Sequence, residues 1–205
     1  MQKTPLKNAI AITAATAMLV LAGCGANPAQ NAATAPDNKV EVKSSMSQQS
    51  LDAAQKALES GAPASYAELK TALFGTADII SSEMYNAPVF TDATAVRLDP
   101  ESAKDPAKLY QAAAIEDLCL AVQMTESLRE GASAMTAKDY QTAYDRLASN
   151  DAEALMNSLA TEADTDGTAM SDAAKLDAQG TKLCMDEIAA IAKAAGADLK
   201  TATTK

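Results

Sequence analysis

From Met46 onward, apolar positions recur at intervals of three and four, the spacing of one helix face, and no run of useful length alternates with the period of a strand. A first helix is predicted over 47–60, with Leu51, Ala54 and Leu58 on one side and Gly61-Ala62-Pro63 as its stop. A second opens at Ser65-Tyr66-Ala67-Glu68, a capping-box pattern, and carries Leu69, Leu73, Ala77 and Ile80 or Met84 before Asn86-Ala87-Pro88 closes it. Gly75 weakens its interior or permits a close approach there. Asp105-Pro106 begins a third, which runs to about Arg129 with Ile115, Leu118, Cys119 and Val122 as its stripe and Gly131 as its stop. A fourth spans about 137–163, as one helix or as two broken or kinked near Ser149, where Asn150-Asp151-Ala152-Glu153 repeats the capping pattern. A fifth, about 171–199, presents Cys184, Ile188, Ile191 and Ala195. Only 87–104 lacks the helical period. Val89, Phe90, Val96 and Leu98 there suit a long loop covering the bundle, or a short hairpin about Thr91-Asp92-Ala93-Thr94. These elements predict an all-α, up-and-down bundle of four to five helices.

The N-terminal pattern is of another kind. Lys3 and Lys7 precede an uncharged apolar run from Ala9 to Leu21, which is too short to span a membrane, since about 20 apolar residues are needed. It ends at Leu21-Ala22-Gly23-Cys24. Here the chain resembles bacterial lipoproteins, whose lipobox has an aliphatic residue, two small residues and a Cys. That resemblance covers residues 1–24 alone. It implies cleavage between Gly23 and Cys24 by signal peptidase II, diacylglycerol on the Cys24 thiol, and a membrane as partner through that lipid. It further implies a cell-envelope location, with Gly25 in place of Asp favouring the periplasmic face of the outer membrane over the inner membrane. Gly25 to Ser45 is rich in Ala, Asn, Pro and polar groups with no apolar stripe, so it reads as a flexible tether with a reach of roughly 25 Å. The expected organisation is a signal peptide at 1–23, a lipidated tether at 24–45 and a helical bundle at 46–205.

Composition thins the expected core. Ala supplies 48 residues, while Leu, Ile, Val and Phe together supply 33, so helices must meet largely through alanine. The chain contains no His, which removes Ser-His-Asp and Cys-His catalysis, His-ligated zinc and the Glu-x-x-His di-iron site. Net charge is −10. Loss of Lys3 and Lys7 with the signal peptide makes the mature charge 15 minus 27, or −12. That acidity, with few aromatics, argues against nucleic acid as a partner.

The remaining chemistry is sparse. Cys119 and Cys184 are the two thiols left once Cys24 is acylated, each on an apolar stripe, and in an oxidising compartment they are expected to form a disulfide joining the third and fifth helices. The alternative is two reduced, buried thiols acting as small apolar groups. Glu162, Asp164 and Asp166, with Gly167 behind them, have the alternating oxygens that open a Ca²⁺ loop. Position one is Glu and position twelve is Ala173, so a solvated acidic turn is the expectation and no metal is assigned. Glu116-Asp117 offers an acid pair on the third helix, with Glu116 turned sideways and no base in view. The nine Met are scattered, as core filler would be. No cofactor is expected. Together these features point to a cell-envelope lipoprotein acting as a non-enzymatic binding or interaction module, with an envelope protein as a candidate partner. The alternative is a carrier of a small ligand or Ca²⁺, sited in the bundle or at the 162–172 turn.

Overall fold

The computed structural model describes residues 48–150, 152–159 and 167–200, all within one unit, Lys43–Lys205. The expected signal peptide, Gly23, Cys24, the tether, and Glu162, Asp164 and Asp166 lie outside the described residues. Every regular element among those described is helical: α1 (Gln49–Ser60), α2 (Tyr66–Phe74), α3 (Ser81–Met84), α4 (Pro88–Leu98), a 3₁₀ turn (Pro100–Lys104), α5 (Pro106–Glu130), α6 (Ala137–Ala148), α7 (Ala152–Leu159) and α8 (Thr168–Ala194). The protein is an all-α helical bundle.

The long helices α5 and α8 form the most extensive contact and run parallel. Asp117 meets Asp177, Leu118 meets Gly180, Thr125 meets Cys184 and Arg129 meets Glu187, so positions rise together along both helices. The chain achieves this by returning through α6 and α7. Gln141 of α6 bonds to the backbone of Lys200 while Asn150 reaches Asp177, which sets α6 antiparallel to α8. Met156 of α7 continues the descent and is buried with Leu109, Tyr110 and Ala113 near the start of α5 and with Ala173 near the start of α8. On the other side of α5, α4 runs antiparallel: Thr94 and Arg97 bond Glu116, while Ser81, just ahead of α4, bonds Glu130.

Alanine does form much of the contact surface. Ala112, Ala113, Ala114 and Ala121 on α5 are all buried, and Gly180 of α8 lies so close that a Cβ there would stand 2.4 Å from Leu118 Cδ2. Local signals set the helix ends as the sequence reading expected. Asp105 accepts from the Lys108 amide with Pro106 in the first turn, and α5 stops at Gly131. Ser65 accepts from the Glu68 amide, although Glu68 reaches back one residue further than a capping box requires, to the Ala64 amide at 2.7 Å. A reciprocal box does occur at Thr136 and Asp139, where α6 begins.

Two expectations about elements change, and the break expected near Ser149 is present. The second predicted helix ends at Gly75, whose φ of +75° is the left-handed cap that glycine adopts without a Cβ penalty, and α3 follows as a separate turn. The fourth is broken after Ala148 into α6 and α7, near the Ser149 signal. The segment 87–104 is no loop or hairpin. Pro88 occupies the first turn of α4, where its missing amide costs nothing, and Val89, Ala93 and Val96 bury a stripe with spacing four and three. Its threonines and β-branched residues weaken intrinsic helix preference, and packing on α5 outweighs that weakness.

The expected Cys119–Cys184 disulfide is also absent. Both thiols are free and buried. The helices that carry them are neighbours as expected, but their register is wrong for a bond. Cys184 lies level with Thr125, six residues beyond Cys119, which is about 9 Å along α5 at about 1.5 Å per residue. A disulfide needs Cα atoms about 4.4–6.8 Å apart. Cys119 also shares its side of α5 with Glu116, which faces α4.

A buried polar network ties α2 to α5 and α8 instead. Tyr66 donates to Glu126 Oε1 at 2.9 Å, Lys70 Nζ lies 3.3 Å from Glu126 Oε2, and Arg129 bridges Glu126 at 3.2 Å and Glu187 at 2.6 Å. Arg129 and Lys70 also lie over the Tyr66 ring, at 5.7 and 6.0 Å from its centroid. Burial, reinforced by Glu126, holds the Tyr66 phenol far above its ordinary value, so it remains a donor at any physiological pH.

Candidate functional site

A prominent concave feature among the described residues is an open groove of about 1100 Å³ between α6, the start of α7 and α8. Its existence follows from the break after Ala148. Where a continuous helix would lie flush on α8, the chain turns at Ser149 and Asn150, and the small residues Ala174 and Ala178 of α8 leave the space open. Tyr144, Leu147, Met170 and Met185 supply apolar walls, with the two Met able to adapt to a shape pressed against them. At the rim, Lys175 pairs with Asp172 at 3.1 Å and Lys182 with Asp186 at 2.6 Å, so the exposed cations are locally neutralised. Asn150 and Thr181 are its polar wall residues next to the bundle interior.

Immediately behind Asn150 and Thr181 is a pair of carboxyl groups. Asn150 Nδ2 donates to Asp117 Oδ2 at 2.6 Å and, more weakly, to Asp177 Oδ2 at 3.5 Å. Thr181 donates to Asp177 Oδ1 at 3.3 Å. Asp177 has no exposed surface at all, and Asp117 is half-buried. Burial first, and then the adjacent Asp117, push the Asp177 carboxyl up to about 8. Asp177 therefore keeps its proton far more readily than an ordinary carboxyl, as one acid of a closely placed pair does.

The acid pair the sequence suggested, Glu116-Asp117, is divided. Glu116 turns to α4, where Thr94 donates to it at 3.2 Å and Arg97 forms a two-pronged ion pair. Asp117 turns to α8 and meets Asp177, a partner the sequence reading missed. Its signal was present: extending the Cys184–Ile188–Ile191 stripe back by seven residues reaches Asp177, a charged residue on a core-facing position, with Gly180 and Thr181 between. The capping pattern accounts for Asn150 locally, and its reach across to Asp117 has no local signature.

Neither cysteine lines the groove. Burial raises the Cys119 thiol well above its ordinary value and pushes Cys184, which has Thr125 beside it, up to about 12, so both stay protonated and unreactive. Among the described residues no group of three or more His, Cys, Asp or Glu is placed to hold a metal ion, and no helix is long and apolar enough to cross a membrane. The chain matches no protein-family model, no curated protein and no solved structure. The groove and the carboxyl pair behind it define the site on their own geometry.

Proposed function

We propose that this chain is a lipid-anchored protein of the cell envelope, acylated at Cys24 and facing the periplasm, whose helical bundle is a non-enzymatic binding module for a small, largely apolar ligand. The groove carries the binding half of this reading. Its volume matches that of small-molecule sites, and its walls are apolar with a few convergent polar groups. The lipobox Leu21-Ala22-Gly23-Cys24 carries the anchoring half, and Gly25 favours the outer membrane. The non-enzymatic reading rests on access: the acids of the pair are absent from the groove lining, and the thiols are buried and protonated. An interaction module that docks an envelope protein on the same groove is the neighbouring reading.

Both halves can be tested in a bacterial host with lipoprotein-processing enzymes. Radiolabelled palmitate should mark the wild type, and Cys24→Ala should accumulate as unlabelled precursor. Efficient cleavage and release of the Ala variant would make this an ordinary secreted protein. For the groove, photolabelling of the full chain with an alkyl diazirine should concentrate on α6 and the first half of α8. Ala178→Trp, which fills the groove, should lower that labelling about tenfold, the effect of about 1.4 kcal/mol of lost binding. Labelling spread evenly over the bundle, or unchanged by Ala178→Trp, would remove the groove as the binding surface.

A further inference from the structure

Asn150 and Thr181 each belong to two places at once. They are polar residues in the groove wall, and they are also the side chains that donate to the buried carboxyl pair. Asn150 lies just beyond the end of α6 and two residues before α7, and its amide ties this point to the bundle interior. The geometry points to a pH-operated latch: the Asp117–Asp177 pair, joined by a shared proton, fastens the α6–α7 junction and one wall of the groove to the α5–α8 pair, and loss of that proton releases it.

The charges around the pair support this. From α8 it is faced by the Thr181 hydroxyl and, more distantly, the protonated Cys184 thiol, and from the α6–α7 junction by the Asn150 amide; the Thr181 and Asn150 donors favour the charged form, and burial and Asp117 outweigh them. From α5 the facing group is Asp117 itself, since Glu116 is engaged by Arg97 of α4. No described cation bonds to the pair. Lys175 and Lys182 point to solvent with acid partners of their own, and Arg146 of α6 is exposed. A second negative charge here would therefore meet the first at close range, with Asp177 itself shut off from water.

Which contact yields is decided by what holds each element. The α5–α8 pair is locked by close packing at Leu118 and Gly180 and by the Arg129–Glu187 bridge. The junction is exposed at Ser149, and α7, of eight residues, is anchored by the buried Met156 with Leu155 and Leu159 packed beside it. Repulsion is relieved at the lowest cost by letting water reach the pair past Asn150, and that displaces the junction. Burial and Asp117 raise the proton affinity of Asp177, so the latch is closed at neutral and acidic pH and opens on the alkaline side.

Hydrogen exchange read by mass spectrometry on the full, lipidated chain in micelles tests the latch, with rates corrected for the intrinsic effect of pH. Between pH 6.5 and pH 9.5, peptides spanning Tyr144–Leu159 should lose protection by about tenfold or more, while peptides from α1 and α4 keep theirs. Asp177→Asn, which cannot ionise and retains a donor for Asp117, should keep the junction protected at both pH values. Asn150→Ala should expose it at both. Equal protection of the wild-type junction at the two pH values overturns the proposal, and so does a full pH response in Asp177→Asn. If that variant does not fold, the wild-type comparison decides alone. Restoration of protection at pH 9.5 by millimolar Ca²⁺ or Mg²⁺, and its loss with EDTA, would also overturn it, since the pair would then be a cation site.

Discussion

Gly180 illustrates how two small effects of opposite sign are weighed at one residue. Within a helix, alanine is favoured over glycine by about 1 kcal/mol, so Gly180→Ala on an exposed face would stabilise. Here the new Cβ would stand 2.4 Å from Leu118 Cδ2, and Leu118 is fully buried on the opposing helix. Overpacking of this kind costs about 1–3 kcal/mol or more, and the clash outweighs the propensity gain. Gly180→Ala should therefore lower the thermal midpoint by several degrees in calorimetry. In a Leu118→Ala background the same change should be neutral or stabilising. A destabilisation of equal size in both backgrounds would mean that the contact is not what requires glycine. Asp177 is governed by the same packing. It follows the apolar period of α8 into the core, and only its neighbours across the interface explain why a charge-bearing residue is kept there.

At the scale of elements, register decides more than proximity. The expected disulfide would have set α5 and α8 side by side; they are neighbours without it, and the parallel pairing of Leu118 with Gly180 and Thr125 with Cys184 separates the thiols along the axis. Reductant should accordingly leave the melting curve unchanged. Alkylation under denaturing, non-reducing conditions should modify both Cys119 and Cys184, and neither should react in the native protein. Cys119→Ala should cost about 1 kcal/mol, the penalty of a small cavity. Recovery of an unalkylated pair joined by a disulfide would contradict the register. The segment 88–98 teaches a related point. Phe90, Thr91, Thr94, Val89 and Val96 give it a strand-like composition, and the buried Val89–Ala93–Val96 stripe against α5 still makes it a helix.

For the molecule as a whole, alanine-lined contacts leave little apolar energy in reserve, and buried polar links fasten the helices in their place. Glu126 is the centre of the largest, accepting from Tyr66 and pairing with Lys70 and Arg129. Lys70 is 6% exposed. Glu126→Ala would leave that ammonium buried without its partner, a change that costs about 3–5 kcal/mol, whereas Lys70→Met with Glu126→Leu should recover much of the loss. Denaturant unfolding measures both. Equal losses in the single and double variants would show that the ion pair itself, rather than the uncompensated charge, is what the fold depends on.

The sequence alone determined the all-α class, the starts of α2 and α5, the stop at Gly131 and the break near Ser149, because these depend on periods, caps and glycines that act within a turn or two of the chain. It also narrowed the chemistry, since a missing imidazole needs no coordinates. Tertiary structure decided the rest. The helical state of 88–98 required α5 as a surface to pack on, and the free thiols required a register between two helices set by side-chain interlocking. The pairing of Asp117 with Asp177 under Asn150 joins two helices and the connection between two others, over residues up to 60 positions apart, and no local pattern encodes it. Such contacts arise because each helix buries a face whose partner is chosen by packing across the bundle, a property of the assembled helices that no single stretch of sequence carries.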